Sequence, residues 1–132
     1  MSAAVERANR ALLRARDTMD RCYPEALDIA ALAKVAHVSQ AHFIRTFAEA
    51  FGETPHRYLQ RRRVERAMAL LRESDRTVTE ICFEVGFSSL GTFSRTFASI
   101  VGVTPSEYRR RTAIRPVPSC FSRSWTRPSS FG

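Results

Sequence analysis

Residues 43–58 read FIRTFAEAFGETPHRY, and residues 93–108 read FSRTFASIVGVTPSEY. Nine of the sixteen positions are identical: Phe43/Phe93, Arg45/Arg95, Thr46/Thr96, Phe47/Phe97, Ala48/Ala98, Gly52/Gly102, Thr54/Thr104, Pro55/Pro105 and Tyr58/Tyr108. A solenoid needs about three repeats or more, so two copies point instead to a duplicated functional unit. The spacing inside each copy is helical. At about 100° per residue, Phe43, Phe47, Ala50 and Phe51 share one face of a helix over 40–51. Phe93, Phe97, Ile100 and Val101 do the same over 89–101. Opposite these apolar faces lie Ala41, Arg45 and Ala48 in the first copy and Gly91, Arg95 and Ala98 in the second. His42 and Ile44, and then Thr92 and Ser94, sit on the flanks.

The residues around each copy complete the plan. Ser39 caps the first of these helices and Gly52 ends it; Ser88 or Ser89 caps the second and Gly102 ends it. Each is preceded by a shorter helix. Asp28 caps one over 29–36, followed by a break at His37-Val38. Thr77 and Glu80 form a capping box that opens another over 78–85, where Gly86 then turns the chain. Thr54-Pro55 opens a long helix over 55–73, whose Tyr58, Leu59, Val64, Ala67, Leu70 and Leu71 make a buried stripe. Thr104 and Glu107 form a second capping box, opening a last helix to about Arg111. At the other end, Val5, Ala8, Leu12 and Met19 fall on one face of a helix over 2–22, stopped by Pro24. No stretch alternates as a strand does and no hairpin turn signal occurs. The expected fold is therefore all-α, with one domain over 1–111. The first short-long helix pair spans about 29–51, the linking helix about 55–73 and the second pair about 78–101. Residues 112–132 change to a Pro-, Ser- and Arg-rich composition and read as a flexible tail, although Phe121, Trp125 and Phe131 are more aromatic than a solubilising tail needs.

The composition narrows the function. A chain of 132 residues with a net charge of +8 and pI near 10.6 suits a polyanionic partner. Lys34 is its only lysine; every other basic residue is Arg, whose planar fork matches phosphate and guanine edges. A GC-rich genome would produce the same bias. Cys22, Cys82 and Cys120 form no metal-ligand spacing or disulfide framework, and His37, His42 and His56 do not cluster. No metal or cofactor is expected. No segment reads as a signal peptide or a membrane span, so the cytoplasm is the expected compartment. Nothing surrounds the cysteines in the way an activated thiolate requires, which argues against an enzyme such as a DNA-alkyl transferase.

Short helix, tight turn and second helix make a helix-turn-helix, and in DNA-binding versions the second helix enters the major groove. A single such pair is common in any helical domain. Two similar pairs joined by one helix in an Arg-rich chain are far more specific. Arg45 and Arg95 project from the middle of the exposed faces as candidate base readers, since Arg pairs with guanine O6 and N7. Gln40, Ala41 and Ile44 in the first helix, and Leu90, Gly91 and Ser94 in the second, are the other groove candidates. Ser39, Ser89, Arg61, Arg62, Arg109 and Arg110 are candidates for phosphates, which position a protein without specifying sequence. Arg63 and Arg111 belong to the same clusters of phosphate candidates, and Arg63 has a competing reading, as a residue packed or paired inside the domain.

The pattern LAKVAHVSQAHFIRTFAEAFGETPHRYLQRRRVERAMALL, followed by VTEICFEVGFSSLGTFSRTFASIVGVTPSEYR, resembles the DNA-binding domain of AraC/XylS-type transcription regulators over about residues 5–110. The GFSSLGTFSRTF and GVTPSEYR blocks are the most diagnostic. The resemblance implies seven helices, with two helix-turn-helix subdomains bridged by the long central helix. It also implies two recognition helices, 40–51 and 89–101, in adjacent major grooves on one face of double-stranded DNA. Arg45 and Arg95 match positions that commonly contact DNA. His37 stands where the family usually has glycine, so a left-handed backbone is expected there. Many members carry a sensor domain; with about 27 residues ahead of the first helix-turn-helix, none fits in this chain, which looks like a stand-alone version. The expected function is a bacterial regulator that reads an asymmetric site as a monomer. The rival is a partner-binding module that acts through RNA polymerase with weak DNA specificity, favoured by the apolar outer face of 40–51.

Overall fold

The structure, a computed structural model, describes residues 2–25 and 27–113. These hold seven helices and no strand: α1 (Ala3–Cys22), α2 (Ile29–Val35), α3 (Gln40–Phe51), α4 (Pro55–Glu73), α5 (Val78–Glu84), α6 (Leu90–Val101) and α7 (Pro105–Ala113). Each starts where a short polar side chain accepts an N–H that the first turn cannot pair. Ser2, Asp28, Ser39, Thr54, Thr77, Ser89 and Thr104 serve in turn. The cap of α6 is thus Ser89, not Ser88. The capping box at Thr77 is complete. The one expected at Thr104 is half-made: Glu107 N–H reaches Thr104, but the Glu107 carboxylate turns to Arg110 and Arg111 instead. Two nearby guanidiniums outcompete one backbone N–H for it.

Two apolar cores form, one on each half of α4. The first gathers Ala11, Leu12, Ala15 and Met19 of α1 with Leu32, Ala33, Ala36, Phe43, Phe47, Tyr58 and Leu59. The second gathers Val64, Ala67, Leu70 and Leu71 of α4 with Ile81, Cys82, Val85, Phe87, Phe93 and Phe97. The repeat is visible in the ring geometry. Phe47 meets Tyr58 edge-on at 5.7 Å, and Phe97 meets Tyr108 edge-on at 5.7 Å. Phe43–Phe47 and Phe93–Phe97 are 5.7 and 5.8 Å apart. Gly52 and Gly102 both take the left-handed conformation (φ 81° and 99°) that lets the chain leave the helix, and Pro55 and Pro105 are both buried. Most of the shared residues therefore have a packing or turn role.

Some expected core positions are not core. Val5 is 46% exposed and Ala8 is exposed, because burial on α1 begins only at Ala11 and the first turns extend past the helices that cover the rest. Ala50 is exposed, whereas Ile100 at the matching place packs against the second core; a methyl group is too short to reach it. α7 runs to Ala113, two residues beyond the expected end, with the Thr112 hydroxyl bonded back to Tyr108 O at 3.0 Å. Apart from Thr112 and Ala113, the expected tail lies outside the described residues.

Candidate nucleic-acid interface

The helix before each turn and the helix after it come together in the same way twice. The turn after α2 is closed by His37 N–H to Lys34 O and Val38 N–H to Ala33 O. The turn after α5 is closed by Gly86 N–H to Phe83 O and Phe87 N–H to Cys82 O. His37 is thus the structural partner of Gly86, and both have positive φ, 61° and 107°. The left-handed backbone expected at His37 is present. The second turn is one residue longer, Phe87-Ser88-Ser89 standing against Val38-Ser39.

From these turns, α3 and α6 present equivalent outer faces. Gln40, Ala41 and Arg45 are exposed and Ile44 half-buried on α3; Leu90, Gly91 and Arg95 are exposed and Ser94 half-buried on α6. Among the described residues, Arg45 and Arg95 bond only to neighbours on their own helices. Arg45 Nη2 lies 3.0 Å from His42 Nδ1, and Arg95 Nη2 donates to Thr92 Oγ1 at 3.5 Å. A Cβ on Gly91 would lie 3.3 Å from Arg95 Nη1, so glycine leaves room for this guanidinium to lie back along the helix. His42 and Thr92, on the flanks of the two outer faces, stand three positions before each arginine, the spacing that brings side chains together on a helix. Ser39 and Ser89 are exposed, but their hydroxyls already accept the N–H groups of His42 and Thr92.

The arginines expected at phosphates fall into two groups. Arg61 is held by Glu53, at 3.0 and 2.6 Å, and by Glu65 at 2.6 Å, and these carboxylates raise its pKa. Arg62 bonds Asp20 at 3.1 Å and Glu65 at 2.8 Å. Arg109 donates to Leu71 O and Ser74 O, the carbonyls at the end of α4, at 3.2 and 3.1 Å. These three have acceptors within the chain. Arg110 is 68% exposed and, among the described residues, pairs only with Glu107. Arg57, exposed at the start of α4, has no side-chain partner among the described residues. Its counterpart in the repeat is Glu107, so the duplication gives no signal for it. Arg63 packs inside, as its competing reading held.

Among the described residues no three His, Cys, Asp or Glu side chains gather as metal ligands, and no helix is long and apolar enough to cross a membrane. Burial pushes the Cys82 thiol up, and its Sγ–H points at Ser89 O, 3.5 Å away. Cys120 lies outside the described residues.

Two helix-turn-helix units on one bridging helix define the class, a helix-turn-helix DNA-binding domain. Comparison with known proteins agrees. Residues 32–111 match the family described as "Helix-turn-helix domain". An AraC-type transcriptional regulator from Chromobacterium violaceum superposes with a TM-score of 0.72 at 29% identity, over 82% of this chain and 96% of that one. The DNA-binding domain of AdpA, a global transcriptional factor solved with a target DNA, superposes with a TM-score of 0.70 at 30% identity, over 76% and 90%. An HTH-type transcriptional regulator of Mycobacterium tuberculosis is 41% identical over 64 residues, 48% of this chain and 25% of that protein. One of Haemophilus influenzae is 41% identical over 58 residues, 44% of this chain and 20% of that protein. The match thus covers a quarter or less of those two relatives. The chain belongs to the AraC-type helix-turn-helix family, and its family and fold are those of DNA-binding transcription regulators, not of enzymes.

Proposed function

We propose that the chain is a sequence-specific transcription regulator that reads two adjacent major-groove segments of double-stranded DNA, α3 in one and α6 in the next. It binds as a monomer on an asymmetric site in the bacterial cytoplasm, where the chromosome lies. One observation carries this reading. Arg45 and Arg95 are the shared arginines of the repeat, exposed at equivalent places on two helices whose other faces are buried in the same way. Packing does not require an arginine there; a groove does. Gln40, Ala41 and Ile44, and Leu90, Gly91 and Ser94, surround them as groove contacts, with Arg57 and Arg110 as the phosphate contacts least committed within the chain. Ser39, Ser89, Arg61, Arg62 and Arg109 would meet a phosphate only by sharing or exchanging their present bonds.

Selection of sites from random duplex DNA tests the proposal. The expected product is one asymmetric motif of two blocks centred about 10 bp apart, one helical turn. Arg45→Ala should weaken binding by about 1–3 kcal/mol and relax one block, and Arg95→Ala should relax the other. Affinity should fall steeply with salt as phosphate contacts release counterions. Equal loss on all sequences would reduce the two arginines to phosphate contacts. No enriched motif at all would overturn the reading and put specificity with a partner such as RNA polymerase.

A further inference from the structure

The two apolar cores share no buried residue. On α4 the first ends at Leu59 and the second begins at Val64, and the residues between them, Gln60 to Arg63, are only half-buried. A helix on its own bends and twists, so continuity of α4 alone would hold the two reading heads loosely. Arg63 sits at this seam. Its Nε–H donates to Tyr23 O at 2.6 Å and its Nη2–H to Glu25 O at 2.8 Å, which places the guanidinium at the carbonyl end of α1. The same guanidinium lies 6.0 Å from the Phe87 ring, in the turn before α6. Gly86 closes the contact from the other side. A Cβ there would lie 2.8 Å from Arg63 Nε, 2.8 Å from Tyr23 O and 2.9 Å from Pro24 O. The end of α1 in the first half, the bridging helix and the turn that launches the second recognition helix therefore meet around one side chain. No carboxylate pairs with Arg63 among the described residues; two backbone carbonyls and the face of the Phe87 ring meet its charge.

We infer that Arg63, seated against Gly86 and the 23–25 carbonyls, is a positioning residue that locks the relative placement of the two recognition helices and so selects the spacing of the two half-sites. This rests on the proposed two-headed reading. A shift of two base pairs rotates one half-site by about 70° relative to the other, at about 10–10.5 bp per turn. A stiff joint rejects such a site, and a loose one accommodates it.

The test is a spacer series. The selected motif is rebuilt with its two blocks moved apart or together by one and two base pairs, and each block is also offered alone. Wild-type chain should prefer its own spacing over a two-base-pair shift by about tenfold or more, a specificity that is a difference of two affinities. Arg63→Met should narrow that preference to about threefold or less, leave the affinity for single blocks unchanged, and partly regain it as Arg63→Lys, which keeps a donor for one carbonyl. An unchanged spacing preference in a folded Arg63→Met chain overturns the inference. If Arg63→Met does not fold, Arg63→Lys decides in its place: an undiminished preference overturns the inference and a weakened one supports it. A readout without DNA keeps the two proposals separable. Spin labels at Glu49→Cys and Ser99→Cys, in a chain carrying Cys22→Ser and Cys120→Ser, should give one narrow distance that broadens when Arg63 is replaced. Broadening without any sequence-specific binding would keep the joint and remove the two-headed reading. A distance equally narrow in both chains would overturn the joint.

Discussion

His37 and Gly86 occupy the same place in the two halves, the left-handed residue between the short helix and the longer one that follows it. One is a histidine and the other a glycine. Backbone conformation alone does not separate them, since both have positive φ. Space does. His37 is exposed, and its side chain has open solvent to enter. At Gly86 the Tyr23 and Pro24 carbonyls and the Arg63 guanidinium already fill the position a Cβ would take. The first turn thus carries only conformational strain, about 1–2 kcal/mol for a left-handed non-glycine residue. The second turn has another segment packed on it. The two halves copy one another inside their cores and differ where one half leans on the other.

The largest expected effect follows from that crowding. Gly86→Ala should destabilise the chain by about 3 kcal/mol, combining backbone strain with overpacking against groups that cannot rotate away. Chemical denaturation measures it; a loss near that of a surface substitution would mean that the 23–25 segment yields readily. A second contrast concerns the paired tyrosines. Tyr58 OH donates to Asp20 at 2.6 Å, whereas Tyr108 OH accepts from Arg72 at 2.7 Å. The Tyr58 pKa is pushed up to about 12, first by burial and then by the hydrogen bond to Asp20. Tyr58→Phe should cost about 1.5–2 kcal/mol, the low end for a hydrogen bond to a charged acceptor, since the bond is only part-buried. Because the folded-state value is raised, this contribution is complete below the ordinary tyrosine value of 10.0 and fades as pH climbs towards about 12. A stability curve of wild type against Tyr58→Phe should therefore converge above pH 10, and parallel curves would refute the assignment.

Smaller effects sharpen the same comparison. His37→Gly relieves the left-handed strain and adds backbone entropy to the unfolded chain, for a net gain of about 0.5–1 kcal/mol by thermal melting. No gain would show that His37 makes a compensating contact. Tyr108→Phe should cost about 0.5 kcal/mol, the low end for a hydrogen bond, since Arg72 is 38% exposed and water can replace the hydroxyl. A loss as large as that of Tyr58→Phe would erase the difference between the two halves.

The helices were legible because their signals are local. Caps such as Thr77 with Glu80, the stop at Gly52 and the Phe43/Phe47 spacing all act within one or two turns of chain. The outer faces of α3 and α6 follow from the same periodicity, so the exposed places of Arg45 and Arg95 could be read directly. The roles of the other arginines could not. Arg61, Arg62, Arg63 and Arg109 look alike as a charge run, and their partners are chosen by which acceptor arrives beside them. Asp20 reaches Arg62 from α1, and the end of α4 offers its carbonyls to Arg109. The overhang of Val5 and Ala8 was hidden for the same reason: periodicity shows which face is apolar, not whether anything covers it.

By itself the sequence determined seven helices, their pairing into two copies of one unit, and the residues each copy turns outward. Caps, glycine stops and helical periodicity are short-range, and they act before distant parts of the chain meet. Only the tertiary structure decided how the copies are held together. Arg63, the 23–25 carbonyls and Gly86 are far apart along the chain, and their shared contact exists only once packing brings them together. A guanidinium's reach is long and its acceptors are many, so the fold, and not the local sequence, selects its partner.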